Sequence, residues 1–161
     1  MQLKQADASH LEAFYELIRR RIAWMEECGI RQWNVTDYWG VYPEDYYARQ
    51  QEQGRLYILE NEGRLLAAGV VFEEDPRWEN SGDVPAWYLH HFAAFPEERG
   101  AGVLFLRELE KKARELGKQR LRLDCAVDNP RLNRYYEELG YTVCGSCVDG
   151  VYEGITREKK L

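Results

Sequence analysis

The segment from Trp87 to Tyr141 constrains the fold most, because strand and helix patterns alternate along it. An apolar run closed by Pro96 predicts a strand. Apolar residues spaced three and four apart then predict a helix with one apolar face, formed by Val103, Leu106, Leu109, Ala113 and Leu116. A second strand pattern leads to Asn129, a favourable N-cap, with Pro130 at the preferred first helical position. The predicted elements are a strand at 86–95, a helix at 102–117, a strand at 120–127 and a helix at 130–140.

The segments on either side predict further strands and helices. Asp7 is a favourable N-cap for the first helix, and the turn residues at 61–63 (Asn-Glu-Gly) and 149–150 (Asp-Gly) are typical of β-hairpins. The other predicted elements are a strand at 2–5, a helix from Asp7 to near Gly29, an ordered loop at 30–40, a helix at 44–53, strands at 55–60 and 64–72, a loop at 73–85, and strands at 141–147 and 151–157. Together they predict an α/β (α+β) fold, a mixed and largely antiparallel sheet of about seven strands flanked by about four helices. The length of 161 residues fits a single domain, 1–161.

The charge balance and the hydropathy of the chain exclude two classes of partner. Acidic residues outnumber basic residues 28 to 22, for a formal charge of −6, whereas nucleic-acid binding needs clustered Lys and Arg against the phosphates. No window approaches the roughly 18 consecutive apolar residues that span a bilayer, and residues 1–7 lack a signal-peptide core. We therefore expect a cytoplasmic protein with no nucleic-acid partner and no membrane partner.

The four cysteines are Cys28, Cys125, Cys144 and Cys147. A chain expected in the cytoplasm keeps its thiols reduced, so a structural disulfide is disfavoured. Cys144 and Cys147 have CxxC spacing, but no second pair or nearby histidine completes a set of zinc ligands. We interpret them as packing thiols and expect no metal.

The turn that precedes the helix at 102–117 contains Gly100 and Gly102. Glycines let the backbone curl so that several N–H groups point at one anion, and the helix N-terminus adds a favourable partial charge. A pyrophosphate fits such a turn, although two glycines before a helix also occur in turns that bind nothing. The Lys-Ser/Thr ending of a Walker A loop is missing and the spacing differs from the dinucleotide fingerprint, so ATPase and dehydrogenase functions are disfavoured.

The segment from Phe92 to Gly102 (FAAFPEERGAG) resembles the acetyl-CoA signature of the GNAT superfamily of N-acetyltransferases, Arg/Gln-x-x-Gly-x-Gly/Ala. Arg99 and Gly102 match its first two fixed positions, and Leu104 departs from the third. Asn129 and the residues at 136–141 (Tyr-Glu-Glu-Leu-Gly-Tyr) are similar to a second block of the family. Two motifs in this order are more specific than either motif alone.

The resemblance implies a GNAT-like fold and direct transfer of an acetyl group from acetyl-CoA, the cosubstrate, to a primary amine of a small molecule, amino acid or peptide. Ala93 and Ala94 would pair with the pantetheine arm, and Asn129 would help to place the cofactor. The main-chain amides of six consecutive residues would hold the pyrophosphate: Arg99, Gly100, Ala101, Gly102, Val103 and Leu104. The alternative is a non-catalytic module that binds or senses CoA.

The resemblance also indicates catalytic residues. The family often has its general acid at the position of Tyr136, and a phenol can protonate a departing thiolate; the alternative is a core aromatic. His90 is favoured as the general base, since some family members have a histidine two residues before the position of Phe92. His91, Glu73, Glu74 or water are the alternatives for the base. Cys125 as an acyl-carrying nucleophile is disfavoured, because no adjacent base is visible in the sequence.

The acceptor side is indicated by the loop that follows the first helix, which family members usually use for this purpose. Here that loop contains Trp33, Asp37 and Tyr38. Aromatic rings can clamp an apolar or cationic group, and Asp37 can hold an ammonium. These side chains can equally fill the interior of the loop. The identity of the acceptor, the preferred acyl chain and the formation of a homodimer stay open.

Overall fold

The computed structural model describes residues 1–78 and 82–161 and contains a mixed seven-stranded sheet with the strand order β1-β2-β3-β4-β5-β7-β6. The strands are β1 (Gln2–Gln5), β2 (Leu56–Asn61), β3 (Arg64–Phe72), β4 (Ala86–Ala94), β5 (Arg120–Ala126), β6 (Thr142–Asp149) and β7 (Tyr152–Lys160). The α-helices are α1 (Leu11–Glu27), α2 (Tyr38–Val41), α3 (Glu44–Glu52), α4 (Ala101–Glu115) and α5 (Pro130–Glu138). Short 3-10 helices span Ala8–His10, Trp33–Val35 and Pro76–Trp78. The predicted α/β class and the number of strands are confirmed.

The chain divides into two compact units. Unit 1 consists of Met1–Val71 and His91–Leu109, and unit 2 of Phe72–His90 and Glu110–Leu161. The single domain over 1–161 stays a prediction.

Unit 1 is built on antiparallel pairing of β1 with β2 and of β2 with β3. The turn between β2 and β3 has left-handed residues at Glu62 (φ 51°) and Gly63 (φ 79°). Positive φ at both central residues matches the twist of the flanking strands, so this hairpin forms as its sequence predicts. Helix α1 contributes side chains to the core through Phe14, Leu17 and Ile18, each 0% exposed.

Helix α2 lies within the segment that the sequence predicts as an ordered loop, and it raises the number of α-helices in the described part of the chain from the predicted four to five. Asp37 begins it by accepting a hydrogen bond from the Gly40 amide with its side chain. A helix of four residues makes about one turn, which is too short for a spacing of apolar residues to reveal it. The sequence pattern therefore missed it.

Unit 2 is built on antiparallel pairing of β7 with both β5 and β6, and on a short parallel pairing of Ala86–Tyr88 with Arg120–Arg122. Its interior holds Glu110, which accepts hydrogen bonds from the Tyr141 hydroxyl (2.9 Å) and from Lys159 (2.8 Å). Glu110 is 5% exposed, so its charge is buried together with a compensating cation.

The segment predicted as a long loop, 73–85, contains the 3-10 helix Pro76–Trp78, and its residues 79–81 lie outside the described part. Trp78 is buried beneath the Arg122 guanidinium, whose central carbon lies 4.8 Å from the centre of a Trp78 ring. This stacking orders the start of the loop against β5.

All four cysteines are free thiols. Cys147 is buried, as expected for a packing thiol, whereas Cys144 on the same strand is exposed. Residues three apart on a strand face opposite sides, which keeps these two sulfurs on different faces. In the described residues, no helix combines the length and the apolar character that a membrane span requires.

Helix α4 offers a matched test of core packing. Both Leu109 and Leu116 belong to the predicted apolar face, but Leu109 is 0% exposed whereas Leu116 lies beyond the helix and is 53% exposed, which corrects the prediction for Leu116. We expect Leu109→Ala to lower the free energy of unfolding by about 2–5 kcal/mol, because it leaves a cavity. Leu116→Ala should change it by less than about 0.5 kcal/mol. Urea denaturation measures both, and equal losses would contradict the packing described for α4.

Candidate active site

The turn between β4 and α4 belongs to unit 1 and has its left-handed residue at Gly100 (φ 83°). A Cβ at this position would meet nothing within 4 Å, so open space borders the backbone there. The amides of Arg99, Ala101 and Leu104 donate to carbonyls of Glu97, Glu98 and Gly100 respectively. Three of the six amides predicted to hold a pyrophosphate are therefore used within the turn itself.

A depression of about 220 Å³ borders this turn. Its lining includes Arg99, Ala101 and Leu104 from the turn and α4, and Arg64 and Leu66 from the start of β3. The Phe95 amide donates to the Leu66 carbonyl (3.0 Å), which holds the start of β3 beside the end of β4. Arg64 pairs with Glu98, so two arginines and one glutamate give the depression a net positive charge. Space, charge and glycine geometry fit the phosphates of a nucleotide cofactor.

The last residues of β4, Ala93 and Ala94, are 4% and 7% exposed. The Arg21 guanidinium of α1 donates to the Ala94 carbonyl (2.6 Å), and the Phe92 ring stacks on Phe105 with the centroids 5.1 Å apart. Helix α1 and helix α4 therefore both fix the end of β4 within unit 1.

Asn129 directly precedes α5 and Tyr136 lies on it, and both belong to unit 2. The Asn129 side chain caps the helix by accepting from the Leu132 amide (3.0 Å), as its sequence predicts. Tyr136 is 6% exposed and packs edge-on against Tyr135 and Tyr141, with centroids at 5.3 and 5.7 Å. The cap fixes the start of the helix that carries Tyr136.

His90, at the unit 2 end of β4, is hydrogen-bonded to Asp75 (Nε2 to Oδ2, 2.8 Å). The Asp75 side chain is 7% exposed, and its other oxygen accepts from the Arg77 amide (3.0 Å). Burial would raise the pKa of Asp75, but the hydrogen bonds from His90 and the Arg77 amide outweigh it and lower that pKa. A carboxylate at Nε2 keeps a proton on that nitrogen, which leaves Nδ1 of neutral His90 as the basic atom.

Glu73, Glu74 and Cys125, the other candidates for the base and the nucleophile, are either paired with other residues or exposed. Glu73 accepts from the Trp87 indole (2.8 Å) and from Lys118; burial opposes ionisation, yet these donors lower the pKa of Glu73. Glu74 is exposed. The Cys125 thiol is buried and donates to Asn133 Oδ1 (3.2 Å), and burial raises the pKa of Cys125. A thiol held protonated is a poor nucleophile.

The three residues predicted for the acceptor lie in unit 1. Asp37 uses its carboxylate as the cap of α2, and Trp33 packs on Tyr38 with the ring centroids 5.1 Å apart. Tyr38 is 5% exposed, and its hydroxyl lies 3.0 Å from His91 Nδ1. The Tyr47 hydroxyl lies 3.1 Å from the same nitrogen. Tyr38 therefore supports His91 from the interior.

The sequence pattern missed Arg64, Asp75 and Tyr47 as neighbours of the predicted residues. The antiparallel pairing of β3 with β2 was visible, but the placement of Arg64 beside the glycine turn depends on β3 lying next to β4. Asp75 contacts His90 and Tyr47 contacts His91, over separations of 15 and 44 residues. A local sequence pattern cannot predict contacts between residues so far apart.

The sequence profile of the Acetyltransferase (GNAT) family matches residues 18–141, which is more than half of the chain. The chain belongs to this family.

Individual relatives support the same fold. The uncharacterized N-acetyltransferase YesJ of Bacillus subtilis is 23% identical over 150 residues, covering 88% of this chain and 81% of YesJ. A GNAT family acetyltransferase of Listeria monocytogenes superposes with a TM-score of 0.81 at 23% identity, covering 99% of this chain and 94% of the other. The PaiA N-acetyltransferase of Thermoplasma acidophilum, solved with coenzyme A, gives 0.77 at 17% identity, covering 99% and 98%. The expected GNAT-like fold is confirmed.

The lowered pKa of Asp75 predicts how stability depends on pH. A carboxyl group whose folded pKa lies below its unfolded value stabilises the fold above about pH 3.9, and this contribution is lost as the pH falls through the folded pKa. We expect Asp75→Asn to be less stable than wild type near pH 7, with a difference that shrinks below about pH 4. Asp83→Asn, at an exposed position, is the control. Urea denaturation across the pH range measures this, and a difference independent of pH would contradict the assignment.

Proposed function

We propose that the protein is an acetyl-CoA-dependent N-acetyltransferase that moves an acetyl group directly to a primary amine of a small molecule, amino acid or peptide. The observation that carries the proposal is the glycine turn at Arg99–Gly102, beside a cationic depression and ahead of α4, in a chain that matches the GNAT family. The resemblance of Asn129 and residues 136–141 to a second block of the family supports the same function. The proposal includes one domain over 1–161, a cytoplasmic location and no metal.

The cofactor phosphates are assigned to the amides that the turn does not itself use, those of Gly100, Gly102 and Val103. Arg64 and Arg99 add positive charge from the depression. Ala93 and Ala94 present the strand to which the pantetheine arm adds, and bound acetyl-CoA supplies the thioester. Asn129 contributes by fixing the start of α5.

The proton transfers are assigned to two residues of unit 2. An alkylamine near pH 7 is mostly protonated and must lose a proton before it attacks a thioester carbonyl. His90, oriented by Asp75, accepts that proton at Nδ1. Tyr136 donates to the departing thiolate, since a phenol with an ordinary pKa of about 10 is protonated near neutral pH. A main-chain N–H of β4 stabilises the developing oxyanion.

The direct test is release of free CoA thiol when the protein is incubated with acetyl-CoA and a panel of amines. The panel contains free amino acids, peptides with free N-termini, lysine-containing peptides, diamines and arylalkylamines. The proposal expects acetylated product from at least one class. Tight acetyl-CoA binding without any acetyl transfer would instead indicate the non-catalytic CoA-binding module.

Tyr136→Phe tests the proton donor. We expect kcat to fall by about 10²–10⁴-fold with little change in the KM for acetyl-CoA, because the ring stays and only the hydroxyl that donates the proton is lost. Tyr135→Phe, on the neighbouring position of α5, is the matched control and should keep kcat. Steady-state kinetics measure both, and an unchanged kcat in Tyr136→Phe would remove this residue from the mechanism.

Gly102→Val tests the cofactor turn. A branched side chain at this position obstructs close approach of the phosphates to the backbone, so we expect the Kd of acetyl-CoA to rise at least about tenfold. Glu108→Ala, exposed on the same helix, is the control. Calorimetric titration compares the two variants. Wild-type affinity in Gly102→Val would show that the cofactor binds elsewhere.

A further inference from the structure

His91 has an unusual backbone conformation for a residue inside a strand. Its φ of 50° lies in the left-handed region, and among the described residues only Glu62, in a tight turn, is another non-glycine with positive φ. β-carbon sterics disfavour this conformation, so it persists only where surrounding contacts hold it.

Two buried tyrosines hold the imidazole. The hydroxyls of Tyr38 and Tyr47 lie 3.0 and 3.1 Å from Nδ1, and they are hydrogen-bonded to each other. Tyr38 is 5% and Tyr47 0% exposed. The rings of Tyr42 and Tyr46 pack edge-on against the imidazole, with centroids at 4.4 and 5.6 Å. All five residues belong to unit 1.

The number of protons in this triad selects one form of the histidine. Burial raises the pKa of both Tyr38 and Tyr47, so both hydroxyls keep their protons. If Nδ1 carries no proton, one hydroxyl donates to Nδ1 and the other donates to the first hydroxyl, and both protons have acceptors within the triad. If Nδ1 carries a proton, the triad contains three protons, one on Nδ1 and one on each tyrosine hydroxyl. Only the two hydroxyl oxygens can then accept, and one proton lacks an acceptor within the triad.

We propose that Tyr38, Tyr47 and His91 form a clamp that fixes neutral His91 with its proton on Nε2 and holds the left-handed bend in β4. The Tyr46 hydroxyl, 3.5 Å from Nε2, lies on the side where this places the proton. His91 is thus a positioning residue: it sets the course of the strand that ends in Ala93 and Ala94. Because Nε2 carries the proton and Nδ1 accepts from a buried tyrosine hydroxyl, His91 is not the general base.

The clamp connects the segment predicted for the acceptor with the end of β4, inside unit 1. Tyr38 belongs to the segment predicted for the acceptor, and His91 lies two residues before the pair assigned to the pantetheine arm. Loosening the clamp is expected to misplace Ala93 and Ala94, and a displacement of about 1 Å can cost about 10²-fold in rate. This consequence rests on the proposed function, whereas the tautomer does not.

The tautomer is measured directly by long-range ¹H–¹⁵N correlation NMR on the ¹⁵N-labelled full chain without ligand. The chain has 3 histidines, so His91 is assigned from the signals that disappear in His91→Asn. We expect Nδ1 to have the shift of an unprotonated nitrogen and Nε2 that of a protonated one. A proton on Nδ1, or rapid exchange between the two forms, would overturn the proposal.

Three replacements at position 91 separate the clamp from simple relief of strain. Asn tolerates the left-handed region and offers a side-chain oxygen to the tyrosine hydroxyls, Gly tolerates the region without offering an acceptor, and Ala does neither. We expect His91→Asn to keep most of the wild-type kcat/KM for acetyl-CoA, and His91→Gly and His91→Ala to lower kcat/KM by about 10²-fold. Melting temperatures identify a variant that has merely unfolded. His91→Gly performing as well as His91→Asn would exclude the clamp.

Failure of the clamp and failure of the proposed function give different results. If wild-type protein acetylates no amine, the Kd of acetyl-CoA replaces kcat/KM as the readout for the three variants, and the NMR result stands unchanged. If wild type acetylates amines but His91 carries its proton on Nδ1, the enzyme assignment survives and the clamp does not.

Discussion

The end of β4 is held by two hydrogen bonds on which the proposed cofactor site depends. The Phe95 amide donates to the Leu66 carbonyl, and the Arg21 guanidinium donates to the Ala94 carbonyl. With the strand anchored in this way, the chain can reverse through Gly100 and begin α4 at a fixed place. A helix N-terminus attracts an anion only within its first turn, so the position of that start decides whether the amides converge. Arg64 reaches the same depression because β3 is held at this end.

Polar groups buried inside the two units are consistently paired. In the part of the chain that the structure describes, no buried side-chain nitrogen or oxygen lacks a hydrogen-bond partner. Arg122, 2% exposed, donates to Glu158 and to the Tyr88 hydroxyl and lies over the Trp78 ring. Such buried ions cost desolvation and are retained only with full compensation. Pairing of the same kind at Asp75 and His90 gives the proposed base a fixed orientation.

The sequence predicted most of the fold because its signals are local. Asn129 with Pro130 begins α5 as expected, and the Asn-Glu-Gly turn at 61–63 has the positive φ values that its residues favour. Helix α2 was not predicted, because a helix of one turn is too short to show a periodic spacing of apolar residues. The neighbours of the two adjacent histidines were also not predicted, because the contact of His90 with Asp75 and of His91 with Tyr47 joins residues distant in sequence. Local motifs indicate the class of cofactor, whereas contacts between residues distant in sequence have no local signal.

Calorimetric titration of the wild-type protein with acetyl-CoA is the strictest test of an acetyl-CoA site at the turn into α4. We expect saturable binding of one acetyl-CoA per chain, with a Kd between about 1 μM and 1 mM, the usual range of enzyme substrates. Inorganic pyrophosphate should compete, because the phosphates occupy the glycine turn. An absence of binding at several times the upper end of that range, in protein whose folding is verified by its melting transition, would contradict an acetyl-CoA site at this turn.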